Sequence, residues 1–171
     1  AFQEARSRTC YTTRMNAPRE IEAKYAVADA DLFVDLLALT QLGPFTLVAD
    51  SKPIDQVNIY FDTSDRRLQA ARHGFRIRLA KGKAVATLKG PATIQDAIHT
   101  RNEWEVALPG QDPDQIPAGE LRDQLIALIG AQELRPILEI RTCRQIILAT
   151  RDQQPLVEIA LDDYVITAGQ Q

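Results

Sequence analysis

Cysteine is scarce in this 171-residue chain. Cys10 and Cys143 are too few and too ill-spaced for a zinc site or a disulfide framework, so both read as free thiols. Long apolar runs are missing as well. None approaches the ~18 residues that cross a bilayer, and no signal-peptide core opens the chain, so the expectation is a soluble cytoplasmic protein without a membrane partner. Nor is there an excess of basic charge. The formal net charge is −3, against the basic balance of a domain that adheres to nucleic acid, so no nucleic-acid partner is expected. A Gly-x-x-x-x-Gly-Lys loop is absent, which excludes a P-loop. Ser/His/Asp catalysis has no supporting local motif, and His73 and His99 are not spaced as a ligand pair; His73 reads as a helix-end residue. What remains is a chain 45% hydrophobic, enough for one globular core.

What the chain does have is charge in alternation. In Glu20-Ile21-Glu22-Ala23-Lys24, a strand would carry Glu20, Glu22 and Lys24 on one face and the small or apolar residues on the other. A surface strand with a wet side can look the same. Yet the pattern recurs: Phe75-Arg76-Ile77-Arg78-Leu79, Thr87-Leu88-Lys89, Arg101-Asn102-Glu103-Trp104-Glu105-Val106, Glu139-Ile140-Arg141 and Glu158-Ile159-Ala160-Leu161-Asp162. The ionic positions are biased to Arg, Lys and Glu, with bases leading on the middle strands and acids on the first and last. If the sheet curls so that these faces meet, its interior becomes a charged tunnel, and charges so close must be paired, hydrated or bound to ions. A cavity lined by bases with carboxylates at one side suits a polyanion and a divalent cation.

The pattern predicts strands over 19–27, 55–62, 74–80, 83–90, 99–107, 136–149 and 155–166. Helices are predicted near 29–41, 64–72 and 118–130. Asp29 or Asp31 would cap the first helix, with Leu32, Leu36 and Leu39 as its inner stripe. Thr63 or Ser64 would cap the second, and Leu121, Leu125 and Leu128 give the third its apolar face. Lys81-Gly82-Lys83 is short enough for a hairpin. Trp104 faces outward, beneath a helix. Antiparallel hairpins predominate, which predicts an α+β fold built on an antiparallel β-barrel. Residues 1–14 lack periodicity and precede the only methionine, Met15; they are read as an N-terminal extension.

The Glu-x-Glu-x-Lys strand, Tyr60-Phe61-Asp62-Thr63, Phe75-Arg76-Ile77-Arg78, Thr87-Leu88-Lys89-Gly90, Arg101-x-Glu103-x-Glu105, Leu138-Glu139-Ile140-Arg141-Thr142-x-Arg144 and Val157-Glu158-Ile159-Ala160-Leu161-Asp162 occur in an order that resembles the CYTH superfamily, the triphosphate tunnel metalloenzymes. The resemblance implies a triphosphate tunnel with helices packed outside, formed by residues 15–171. It also implies a further Glu-x-Glu strand after the turn at 166–169, so the domain is expected to lack its last strand here. A homodimer or a C-terminal second domain is the candidate partner.

For function, the resemblance implies metal-dependent hydrolysis of an inorganic or organic triphosphate, with Mg2+ or Mn2+. A non-catalytic polyphosphate-binding module and a class IV-type adenylate cyclase making cyclic AMP from ATP are the alternatives. Hard cations prefer carboxylate oxygens, which points to Glu20 and Glu22 as metal ligands and catalytic residues. Glu158 is a further ligand or base, and Asp162 stands behind it. Guanidinium and ammonium groups grip phosphate, and the candidates are Lys24, Arg76, Arg78, Lys89, Arg101 and Arg141. Each of these bases could instead pair with a facing glutamate. Glu103, Glu105 and Glu139 are further tunnel carboxylates. Arg144 falls on the opposite parity from Arg141 and is expected outside the tunnel unless a bulge resets the strand.

Overall fold

A computed structural model describes residues 19–23, 25–27, 31–95 and 98–168. The Met15 and Lys24 expectations, and Asp29 as a cap, lie outside the described residues. In chain order the elements are β1 (Arg19–Ala23), α1 (Asp31–Ala38), β2 (Gln41–Leu42), β3 (Phe45–Ala49), β4 (Ile54–Asp62), α2 (Arg67–Ala70), β5 (Gly74–Ala80), β6 (Lys83–Lys89), β7 (Thr93–Gln95), β8 (Ile98–Leu108), α3 (Glu120–Ile129), β9 (Arg135–Arg151) and β10 (Gln154–Ala168). A single 3-10 turn, Pro113–Gln115, precedes α3.

Every strand pairing is antiparallel. The central order is β10-β9-β4-β5-β6-β8-β1, with β3 taking over the pairing of β9 past the end of β4 and β2 lying outside β3. Short connections explain this arrangement. Between β5 and β6 the turn is Lys81 and Gly82, at φ 51 and 71, the paired left-handed residues whose twist matches two antiparallel strands. Between β9 and β10, Asp152 and Gln153 repeat the device at φ 52 and 64.

The predicted Tyr-Phe-Asp-Thr segment has a local purpose. Asp62 Oδ1 accepts the N–H groups of Thr63 (2.8 Å) and Leu68 (2.9 Å), and Oδ2 accepts that of Gln69 (3.1 Å). Thr63 Oγ1 accepts the Arg67 N–H at 2.9 Å. The two side chains thereby satisfy amides at the start of α2 that the helix itself leaves unpaired. The N-cap position is Arg66, which has no side-chain cap, so neither Thr63 nor Ser64 is the cap expected; Asp62 and Thr63 reach the first-turn amides from further upstream.

The apolar faces pack outward under helices. One cluster gathers Phe61, Phe75, Ile77, Ala86 and Leu88 beneath Leu68 of α2 and Leu121, Leu125 and Ile129 of α3. Trp104 packs against this cluster and donates its Nε1–H to Glu120 of α3 at 2.9 Å. A second cluster sets Leu47, Ile147, Ala149 and Leu161 against Phe33, Leu36 and Leu37. The stripe of α1 is therefore 33, 36 and 37 rather than 32, 36 and 39; Leu32 and Leu39 are exposed. Positions 33, 36 and 37 keep the i, i+3, i+4 spacing of one helix face; the expected stripe began one residue early and ran past Ala38, where the helix ends. Among the described residues no helix is long and apolar enough to cross a membrane.

The sheet is strongly curled. Arg144 of β9 feels the negative charge of Glu22 on β1, although β4, β5, β6 and β8 separate their strands. At ~4.8 Å per strand a flat sheet would hold them roughly 24 Å apart, far beyond the ~8–10 Å over which exposed charges interact in physiological salt. Among the described residues no hydrogen-bonded pair joins β1 to β10, so the curled sheet is open at that seam.

Candidate functional site

Strand register decides which side chains share the inner face. Asn58 stands opposite Arg78, Tyr60 opposite Arg76, Arg76 opposite Thr87, Thr87 opposite Glu105, Lys89 opposite Glu103, and Glu20 opposite Arg101. Directly opposed residues point to the same side of a sheet. Glu22, Arg76, Arg78, Lys89, Arg101, Glu103 and Glu105 therefore lie on one face, away from both apolar clusters; the side chain of Glu20 lies outside what the structure describes.

The far side departs from expectation. Asn58 pairs with Ile140, Gln56 with Thr142 and Ile54 with Arg144, which puts Thr142 and Arg144 on the inner face. Val57 pairs with Arg141 and Ile59 with Glu139, so Arg141 and Glu139 lie on the outer face, tied to each other at 2.8 Å. The expected roles of Arg141 and Arg144 are reversed, and Glu139 is not an inner-face carboxylate. No bulge is needed: residues of even number from 138 onward follow Asn58. Asp162 faces Arg144, and Glu158 faces Leu148, so both candidate acids of β10 share the inner face.

Most inner bases are held by carboxylates. Arg144 donates to both oxygens of Asp162, at 2.6 and 2.7 Å. Lys89 reaches Glu103 at 3.2 Å, Arg101 reaches Glu22 at 2.5 Å, and Arg78 reaches Glu105 at 3.5 Å. Thr87 Oγ1 also donates to Glu105, at 2.8 Å. Arg76 differs. Its Nε is buried without a hydrogen-bond partner, as is Oδ1 of Asn58 on the neighbouring strand. Buried polar groups left unmatched are uncommon and mark a place where a ligand can complete the bonding.

Electrostatics converge on one cation. The Asp162 hydrogen bonds hold the Arg144 guanidinium above its ordinary pKa against the opposing effect of burial, and the charges of Asp162, Glu158 and Glu22 add to this. Three carboxylates on two strands, β1 and β10, thus bear on a single positive charge, the field in which a divalent cation would also be held. Among the described residues, however, no three acidic, His or Cys side chains are gathered closely enough to coordinate one ion. The donor chemistry suits a hard cation; in this arrangement Glu22, Glu103, Glu105 and Asp162 are committed to bases instead.

Spacing alone missed several residues of this face. Gln56, Asn58, Thr87 and Thr142 are all buried there. Alternation of Gln56 and Asn58 with Val57 and Ile59 was the available signal, passed over because amides carry no charge. Cys143 is a free, exposed thiol, as expected. Cys10 lies outside the described residues.

The CYTH domain family model matches residues 18–169. A protein from Pyrococcus horikoshii OT3 is 20% identical with a TM-score of 0.52, over 86% of this chain and 71% of that one. A putative adenylyl cyclase from Hippeastrum, described as having a dominant triphosphatase activity, is 16% identical with a TM-score of 0.52, over 85% of this chain and 78% of that one. At these identities the two structures speak to the fold.

Proposed function

The chain belongs to the CYTH family, and from that premise we propose that it binds a triphosphate along its inner face and hydrolyses a phosphoanhydride bond in it. The observation that carries this reading is Arg76, a guanidinium on the inner face whose buried Nε lacks a partner, beside the equally unmatched Asn58. A phosphate oxygen supplies the acceptor that Arg76 needs, and the Asn58 amide turned about its last torsion presents N–H donors to the same anion.

Arg78, Lys89, Arg101 and Arg144 would then exchange carboxylate for phosphate oxygens. Each exchange is nearly balanced, because a partly exposed ion pair is worth only about 0–1 kcal/mol. Bases held in place by Glu105, Glu103, Glu22 and Asp162 need little reorganisation to stabilise charge on the transferred phosphoryl group. Glu158 is exposed on the inner face and has no hydrogen-bond partner among the described residues, which suits it to orient the attacking water. Glu20, Glu22, Glu158 and Asp162 are the residues that would hold Mg2+ or Mn2+. When bound, the cation supplies neutralisation of phosphate charge. The open seam would close around the polyanion to complete a tunnel.

A second reading, binding without turnover, is favoured by the ion pairs that now occupy Glu22 and Asp162. One experiment separates the two. Tripolyphosphate should raise the melting temperature far more than chloride at equal ionic strength, by mass action on the folded state. Phosphate release with Mg2+ or Mn2+ should accompany it. Stabilisation without release supports the binding module; equal shifts by both salts defeat both readings.

A further inference from the structure

On the outer face of the sheet, beside α2, lies a cavity of about 360 Å³. Clefts that hold small molecules measure about 300–1,000 Å³, so this one suits a compact ligand. Phe61 and Phe75 are register partners whose ring centroids stand 5.9 Å apart, in the apolar cluster that Leu68 of α2 joins. With Ile137 they give the cavity an apolar floor.

Its mouth has the opposite chemistry. Arg66 directly precedes α2 and Arg72 lies just beyond it; both line the cavity, both are exposed, and neither side chain has a hydrogen bond or ion pair among the described residues. The Gln69 amide stands between them on α2. Asp62, the carboxylate that lines the cavity, already accepts three backbone N–H groups with its two oxygens, so it is not a ready partner for either arginine. Both arginines hold left-handed backbones, φ 57 and φ 59, a conformation disfavoured for long side chains that persists where the surroundings enforce it.

Spacing decides what charge the mouth can take. At ~1.5 Å of rise per helical residue, the chain across α2 sets the stems of Arg66 and Arg72 roughly 9 Å apart. Two anionic heads on a short chain span that distance; one compact ion does not. Each guanidinium is a planar fork that matches a carboxylate with two parallel hydrogen bonds. An inorganic anion would also leave the apolar floor unused, whereas methylene groups between two carboxylates would cover it.

We propose that this cavity is a binding site for a short aliphatic dicarboxylate, with one carboxylate on Arg66, the other on Arg72, and the methylenes on Phe61, Phe75 and Ile137. The site lies on the opposite face of the sheet from Arg76 and the other inner-face bases. It does not rest on the triphosphate reading.

The protein carries its own reporter. Of its two histidines, His73 lines the cavity and donates from Nδ1 to the Ala71 carbonyl at 2.8 Å, so its imidazole resonance should register an occupant while that of His99 serves as the control. Titration with adipate at neutral pH should shift the His73 signal saturably and leave His99 in place. Hexanoate has the same chain and one carboxylate, and should bind about fivefold more weakly, the scale of one exposed ion pair. Orthophosphate should also bind more weakly than adipate. An Arg66→Gln/Arg72→Gln variant should keep the parent's melting temperature, since neither side chain is bonded within the fold, and lose about fivefold in adipate affinity for each arginine. Tripolyphosphate at a concentration that saturates its effect on melting should leave adipate binding unchanged. The proposal is overturned by an unmoved His73 signal, by hexanoate or orthophosphate binding as tightly as adipate, or by undiminished adipate binding in the double variant. Displacement of adipate by tripolyphosphate would overturn it too, because the cavity would then belong to the inner-face site.

Discussion

Arg144 and Asp162 face each other across β9 and β10 and share two hydrogen bonds, at 2.6 and 2.7 Å. The planar fork of a guanidinium matches a carboxylate in this way, whereas a lysine ammonium meets it as a point charge. The pair ties the last strand to its only described neighbour on the inner face, where Asp162 →Asn would leave Arg144 with a weaker acceptor. We expect that variant to lose about 1–2 kcal/mol of unfolding free energy, between the values for exposed and buried pairs. Denaturant unfolding of both single variants and the double Arg144→Met/Asp162→Asn variant would measure the coupling. A coupling of zero would show that the two side chains stabilise the fold independently.

Arg76 gives the opposite expectation. A buried donor without a partner costs about 1–3 kcal/mol, so the ligand-free protein should gain stability when that donor is removed. Arg76→Met should melt higher than the parent in the absence of polyanion and lose the stabilisation by tripolyphosphate. A variant that melts lower, yet still responds fully to tripolyphosphate, would mean that Arg76 is structural and makes no contact with the anion.

These two arginines also mark how far the sequence could be read. Alternation in residues 74–80 has bases at one parity and apolar groups at the other, so Arg76 and Arg78 could be assigned to the ionic face without further information. Residues 135–151 carry charges at both parities, Glu139 and Arg141 on one and Arg144 on the other. Nothing local chooses between them; the choice is made by pairing with β4, where Asn58 meets Ile140. The long hairpin of β9 and β10 was legible as two stretches rich in Ile, Leu, Val and Thr. β2 and β3 were not, being two and five residues long and recognisable only through their pairing. The open seam between β1 and β10 is likewise a property of tertiary curvature, which alternation does not encode.

Glu22 is the inner-face carboxylate best placed to distinguish metal binding from charge pairing. It accepts from Arg101 and contributes to the field at Arg144. Glu22→Gln keeps the shape and a hydrogen-bond acceptor while removing the charge. If Glu22 ligates the cation, the variant should fold, with a melting temperature close to the parent, and lose the activity that Mg2+ or Mn2+ supports. Unchanged turnover at saturating metal would remove Glu22 from the metal site.

Asp65 supplies a pH-dependent test of the turn that leads into α2. Hydrogen bonds from Thr63 Oγ1 and Arg67 Nε hold its carboxyl below the ordinary value. Because the folded pKa is the lower one, the unfolded chain takes up the proton first as pH falls. The stabilisation from Asp65 is therefore complete above the ordinary carboxylate range, shrinks as pH falls through that range, and is gone below the depressed folded value. Asp65→Asn removes the titrating group but leaves a neutral side chain of the same size. The parent should melt above the variant near neutrality, and the gap should close on acidification while other carboxylates affect both proteins alike. A gap that stays constant from neutral pH into strong acid would show that the Thr63 and Arg67 contacts to Asp65 do not depend on its charge.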